Sequence, residues 1–134
     1  MSAMTENLST CDTRFALTAT PDAPSRARAL VEATFVRWEL RHLIPDAQLV
    51  TSELVTNATI ATPGVGIRLL LAREPGAVLI GVWDASPIMP KKRPYGPDST
   101  SGWGLHIVSA IADHTDSFRV SEPSGKITWA QLAT

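Results

Sequence analysis

Residues 49–62, LVTSELVTNATIAT, constrain the fold more than any other stretch. On a helix of about 3.6 residues per turn, Ala47, Val50, Leu54, Ala58 and Ala61 line up as one apolar stripe, so the segment predicts a helix laid against a core. Asn57 falls inside that stripe, and Glu53 lies one turn earlier at its edge, so the two side chains are neighbours. Burying such groups unpaired costs on the order of 1–3 kcal/mol or more. A bound ligand could supply the partners. Equally, Asn57 could bond a neighbouring loop while Glu53 tilts into solvent.

A chain of 134 residues is the size of one ordinary domain and buries a substantial core without disulfides or metals. Its formal charge of −1 and pI near 6.3 offer no electrostatic footprint for nucleic acid or an anionic membrane. Cys11 is the only cysteine, which excludes an intramolecular disulfide and a cysteine-rich metal cluster. The first residues lack a basic start followed by an apolar run, and no stretch approaches the roughly 18 apolar residues of a bilayer span. The expectation is a cytoplasmic protein, with residues 1–13 a flexible leader and 14–134 a single domain. His42, His106 and His114 have no metal-ligand spacing and read as surface or packing residues.

Arg14 to Thr20 alternates apolar and other residues with β-favouring types, predicting a short strand suited to a sheet edge. Asp22 can cap a helix with Pro24 in its first turn and Ala27, Leu30, Val31, Phe35 and Trp38 on one side, running to about Leu40. After a break at His42 to Pro45, Asp46 can cap the central helix, which ends near Thr62 because Pro63 and Gly64 follow. Gly66 to Arg73 and Ala77 to Asp84 form a hairpin around Glu74, Pro75 and Gly76. VLIGVW is apolar on both faces and predicts a central strand. Residues 85–101 hold four prolines and the basic run Lys91, Lys92, Arg93, and read as a loop long enough to be a functional lid. Leu105, Val108, Ile111 and Ala112 then mark a helix, and Ser117 to Ser121 and Lys126 to Leu132 a last pair of strands. The order β-α-α-β-β-loop-α-β-β implies an α/β (α+β) two-layer sandwich, a mixed, mainly antiparallel sheet with helices on one face.

Gly102 and Gly104 stand at the start of a helix, where free backbone N–H groups and the positive dipole end can receive phosphate. Alone, G-x-G is as readily a turn, Asp84 a strand terminator, and the basic run a solvated loop. Their combination with E-x-x-x-N on the central helix is more specific. SELVTNA, VWDASP, SGWGLHIV and GKITWAQL resemble the Bergerat-fold ATPases, among which are the ATP-binding domains of histidine kinases and DNA gyrase. More narrowly, they resemble the single-domain anti-sigma-factor serine/threonine kinases of the RsbW and SpoIIAB type found in many actinobacteria. The resemblance runs from about Arg14 to Leu132.

The resemblance implies ATP and Mg²⁺ as cofactors, with Asn57 ligating the metal and Glu53 acting as general base or orienting the attacking hydroxyl. It implies that Asp84 accepts a hydrogen bond from the exocyclic amine of adenine. Ser86 stands where glycine is common, and Gly102, Trp103, Gly104 and Leu105 follow the lid at the phosphates. The family's partners are a sigma factor and a STAS-domain antagonist, and a homodimer is its usual state. Three positions depart from the pattern: Ala61 and Trp103 each replace a polar residue, and Ile127 stands where the last strand often carries a threonine. Thr128 is the neighbouring candidate for the nucleotide site, although adjacent strand residues point to opposite faces. Two classes therefore remain: an ATP-dependent protein kinase that also sequesters a sigma factor, and a catalytically impaired or nucleotide-free regulator of the same fold.

Overall fold

The computed structural model describes residues 7, 8, 11, 13–89 and 107–134. Its elements are β1 (Thr13–Thr18), α1 (Ala23–Arg37), a 3-10 turn (Arg41–Leu43), α2 (Ile44–Ala61), β2 (Gly66–Glu74), β3 (Ala77–Asp84), β4 (His114–Ser121) and β5 (Ser124–Ala133). Residues 107–111 are also helical. The strands form one sheet in the order β1-β2-β3-β5-β4, and every neighbouring pair is antiparallel. The helices pack on one face of it, which is the two-layer α+β architecture expected. β3 and β4 run parallel to each other on either side of β5. Asp84 is level with Arg119 through Lys126, and His114 is level with Leu79 through Gln131, so the chain from 85 to 113 crosses from one end of the sheet to the other.

α1 follows from its spacing: Ala23, Ala27, Val31 and Phe35 recur every fourth residue and are fully buried, with the Trp38 ring tilted against Phe35 at 5.6 Å. It stops at Arg37, earlier than the expected Leu40, because Glu39 enters the left-handed region at φ 60° and the Leu40 N–H turns back to the Phe35 carbonyl at 2.8 Å. Asp22 occupies the N-cap position without capping through its side chain. Its carboxylate instead accepts the Thr20 hydroxyl and pairs with Arg26, and the Thr20 hydrogen bond foremost holds that carboxyl below its ordinary range.

α2 begins at Ile44, two residues before the Asp46 cap expected from the sequence. Pro45 is the reason: its fixed φ and missing N–H suit a first turn, which leaves Asp46 inside that turn near the positive dipole end. The buried side comprises Ala47, Val50, Thr51, Leu54, Val55 and Ala58. Ala61, placed in the stripe by spacing, is exposed in the last turn, just before Gly64 leads out at φ 78°.

Val78, Ile80 and Val82 of β3 enter the helix-side core, whereas Leu79 and Trp83 face the other way, so β3 is the doubly covered central strand expected. β4 starts at His114 and β5 at Ser124, extending both predicted strands toward their N-termini. The helix-free face carries Leu70, Ala72, Leu79, Ile127 and Trp129. Leu8, inside the stretch expected as a flexible leader, is fully buried on this face over Gly81, and Asn7 Nδ2 donates to Glu74 Oε1 at 2.8 Å. Leu8→Ala should therefore lower unfolding stability by about 2 kcal/mol, the low end for a buried leucine because an end segment can relax. A change below about 0.5 kcal/mol in chemical denaturation, the range of an ordinary surface substitution, would show that Leu8 adds nothing there. No helix among the described residues is long and apolar enough to cross a membrane.

Candidate functional site

Two sets of contacts orient α2. Arg28 of α1 donates to Ser52 Oγ at 2.9 Å, and Gln48 Nε2 donates to the Arg28 carbonyl at 3.2 Å, so α1 lies along the Gln48/Ser52 flank. Glu53 and Asn57 occupy the opposite flank, away from α1 and on the side of β5, against which α2 also packs. Both are half-buried, and neither makes a hydrogen bond or ion pair with a described residue. Thr62 to Val65 connects the end of α2 to β2, whose Arg68 pairs with Trp83, so the C-terminal half of α2 stands at the Asp84 end of the sheet.

Strand alternation decides which residues meet that flank. Asp84 shares the helix-facing side with Val82 and Ile80, and on β5 the same side carries Lys126, Thr128, Ala130 and Leu132. Ser117 and Arg119 of β4, paired with Thr128 and Lys126, join them. Asp84 and Lys126 form a buried ion pair at 2.7 Å, each side chain 4% exposed. The same oxygen, Oδ1, accepts the Ser86 N–H at 2.9 Å. Lys126 also donates to the Ser86 carbonyl at 3.3 Å and Arg119 to the Pro87 carbonyl at 3.4 Å, tying the chain after β3 to the β4–β5 hairpin. Asp84 Oδ2 has no partner among the described residues. Ser117 Oγ donates to Thr128 Oγ1 at 3.0 Å.

The register puts Ile127 and Thr128, the two positions considered for the threonine of the last strand, on opposite faces of the sheet. Ile127 points to the helix-free face and packs with Trp129 near Leu8, while Thr128 sits opposite Val82 on the face that Asp84 shares. The Thr128 hydroxyl is thus on the Asp84 side. Ser86 lies two residues after Asp84, its hydroxyl accepting the Ile88 N–H at 3.2 Å. Gly102, Trp103, Gly104, Leu105 and the basic run Lys91 to Arg93 lie outside the described residues. The helical stretch that follows brings Val108, fully buried, with Ile111 and Ala112 into the helix-side core.

Lys126 was not singled out from sequence. Its signal was legible: Lys126, Thr128, Ala130 and Leu132 share one parity, so a cation stands on a side that must be buried if the strand is central. Among the described residues no three His, Cys, Asp or Glu side chains cluster to hold a metal. A Mg²⁺ ion at Asn57 would therefore depend on phosphate and water oxygens for the rest of its shell, which is how Mg²⁺ is commonly held, and the uncommitted carboxamide fits that use. The chain matches no protein-family model and no curated protein.

Proposed function

We propose that the chain is an ATP-binding regulatory protein of the Bergerat type, an anti-sigma-factor serine/threonine kinase that phosphorylates a STAS-domain antagonist and sequesters a sigma factor. The observation that supports it best is the Asp84 carboxylate. One oxygen is fixed by Lys126 and the Ser86 N–H, and the other is uncommitted on the face that also carries Thr128. On that side of α2 stand two more polar groups without described partners, Glu53 and Asn57.

In this reading Asp84 Oδ2 accepts the exocyclic amine of adenine, and Asn57 holds Mg²⁺ through its amide oxygen without adding charge beside the phosphates. Bound Mg²⁺–ATP supplies the transferable phosphoryl group and neutralises its charge. Glu53, one turn from Asn57, accepts the proton of the attacking serine or threonine hydroxyl. The resemblance assigns the phosphate-binding backbone donors to Gly102 and Gly104, which lie outside the described residues. The protein acts in the cytoplasm as a homodimer.

One observation favours the second reading, a nucleotide-free partner-binding regulator: Lys126 already neutralises Asp84 without any ligand. Calorimetry separates the two. The folded protein should release or absorb heat with Mg²⁺ and ATP at up to millimolar nucleotide, and Asp84→Asn should weaken ATP by roughly 10- to 100-fold, the worth of a charged hydrogen bond. No ATP heat from folded parent protein favours the nucleotide-free reading. Unchanged ATP affinity in folded Asp84→Asn makes Asp84 a turn residue.

A further inference from the structure

The Asp84–Lys126 pair is out of proportion to any structural need. Buried ion pairs stabilise weakly, since desolvation offsets most of the attraction and apolar replacements of similar volume are often neutral or better. Here the pair lies side by side on neighbouring strands, at the end of an otherwise apolar β3. Its geometry is also one-sided: both the ammonium and the Ser86 N–H converge on Oδ1, filling that oxygen and leaving Oδ2 to anything that enters.

We infer that Lys126 is the residue that sets base specificity, by filling Asp84 Oδ1 and so leaving Oδ2 as the acceptor presented to a ligand. This rests on the nucleotide reading above. An accepting oxygen demands a donor from the ligand, so where it meets the 6-position of a purine it takes a 6-amino group and repels a 6-oxo group, itself an acceptor. Lys126 does not touch the base. It acts through Asp84, and without it only the Ser86 N–H holds Oδ1, so the carboxylate loses the contact that fixes which oxygen is left for a ligand.

ATP and inosine triphosphate differ in this amino-for-oxo exchange and the N1 proton that accompanies it, so their affinity ratio reads the effect with sugar and phosphates held constant. Among the described residues, Lys126 on β5 pairs with Asp84, Arg119 lies on the same face of β4 and Glu53 on the facing flank of α2; the helical stretch 107–111 carries no charged residue. Arg119, Glu53 and the triphosphate are common to both titrations and cancel in the ratio. Calorimetry with Mg²⁺ at one fixed pH should give the parent a strong ATP preference. In Lys126→Met the preference should fall about tenfold or more. Lys126→Arg keeps the charge and should keep the preference. If Lys126→Met does not fold, Lys126→Gln removes the charge while retaining a donor for the Ser86 carbonyl, and carries the same expectation.

A merely structural Lys126 would weaken both nucleotides alike and leave the ratio unchanged, which overturns the inference while the nucleotide reading stands. A parent that binds neither nucleotide overturns both.

Discussion

Glu53→Gln should bind Mg²⁺–ATP within a few-fold of the parent yet transfer the phosphoryl group roughly 10²–10⁴-fold more slowly, the usual range for a lost general base. The expectation follows from where Glu53 stands. It is half-buried on the α2 flank opposite α1, one turn before Asn57, and holds no described residue in place, so the amide substitution leaves the fold untouched. Gln keeps the shape and removes the basicity. Asn57→Ala, by contrast, should lose both binding and transfer, because it removes the proposed metal ligand. The measurement is single-turnover transfer to a STAS-domain antagonist that the parent phosphorylates, with ATP saturating for each variant. Equal rates for parent and Glu53→Gln would take Glu53 out of the mechanism, and loss of ATP binding would make it a metal-site or structural residue instead.

Gly125→Ala should cost about 3 kcal/mol or more, above the usual range for a single substitution. A Cβ at Gly125 would lie 2.1 Å from the Asp84 carbonyl oxygen, 2.9 Å from Trp83 Nε1 and 3.1 Å from Ala85 Cα. Two of these are backbone atoms that cannot swing aside. Trp83 is itself held, its Nε1 donating to the Pro123 carbonyl at 3.2 Å with the Arg68 guanidinium 5.1 Å over its ring. The strain falls where β3 and β5 end together, beside the Asp84–Lys126 pair, so stability and nucleotide affinity should fall together. Denaturant midpoints and ATP titration of the same samples check this. A stability loss under about 1 kcal/mol would mean that the turn relaxes freely.

What the sequence disclosed and withheld has a physical pattern. α1 and the β2–β3 hairpin were legible because apolar spacing and a Pro-Gly turn are local signals, and β3 was recognisable as central because both of its faces are apolar. The start of α2 was misplaced because Asp46 looks like a cap while Pro45 tolerates the turn before it. Leu8 was unreadable, since one buried leucine in a polar stretch has no period. At the site, Asp84 could be named from its place at a strand end. Its partner could not, because Lys126 is distant in sequence and only the β3–β5 pairing brings the two within 2.7 Å. The same pairing puts Thr128, not Ile127, on the face that Asp84 shares, because a one-residue step along a strand changes the face.

The parallel relation of β3 and β4 across β5 also bears on how such a chain can be altered. The connection from 85 to 113 leaves at one end of the sheet and returns at the other, and the strands flanking it are secured through β5 rather than through the connection itself. Closure entropy grows only logarithmically with loop length, about 0.6 kcal/mol for each doubling. The Ser86 and Pro87 carbonyls near its start are held by Lys126 and Arg119, and Val108 near its end is fully buried in the helix-side core, so both described ends are anchored whatever their separation along the chain. Register in β3 and β4 is therefore written into β5, which pairs with both, and a slip in β5 would misplace two neighbours at once.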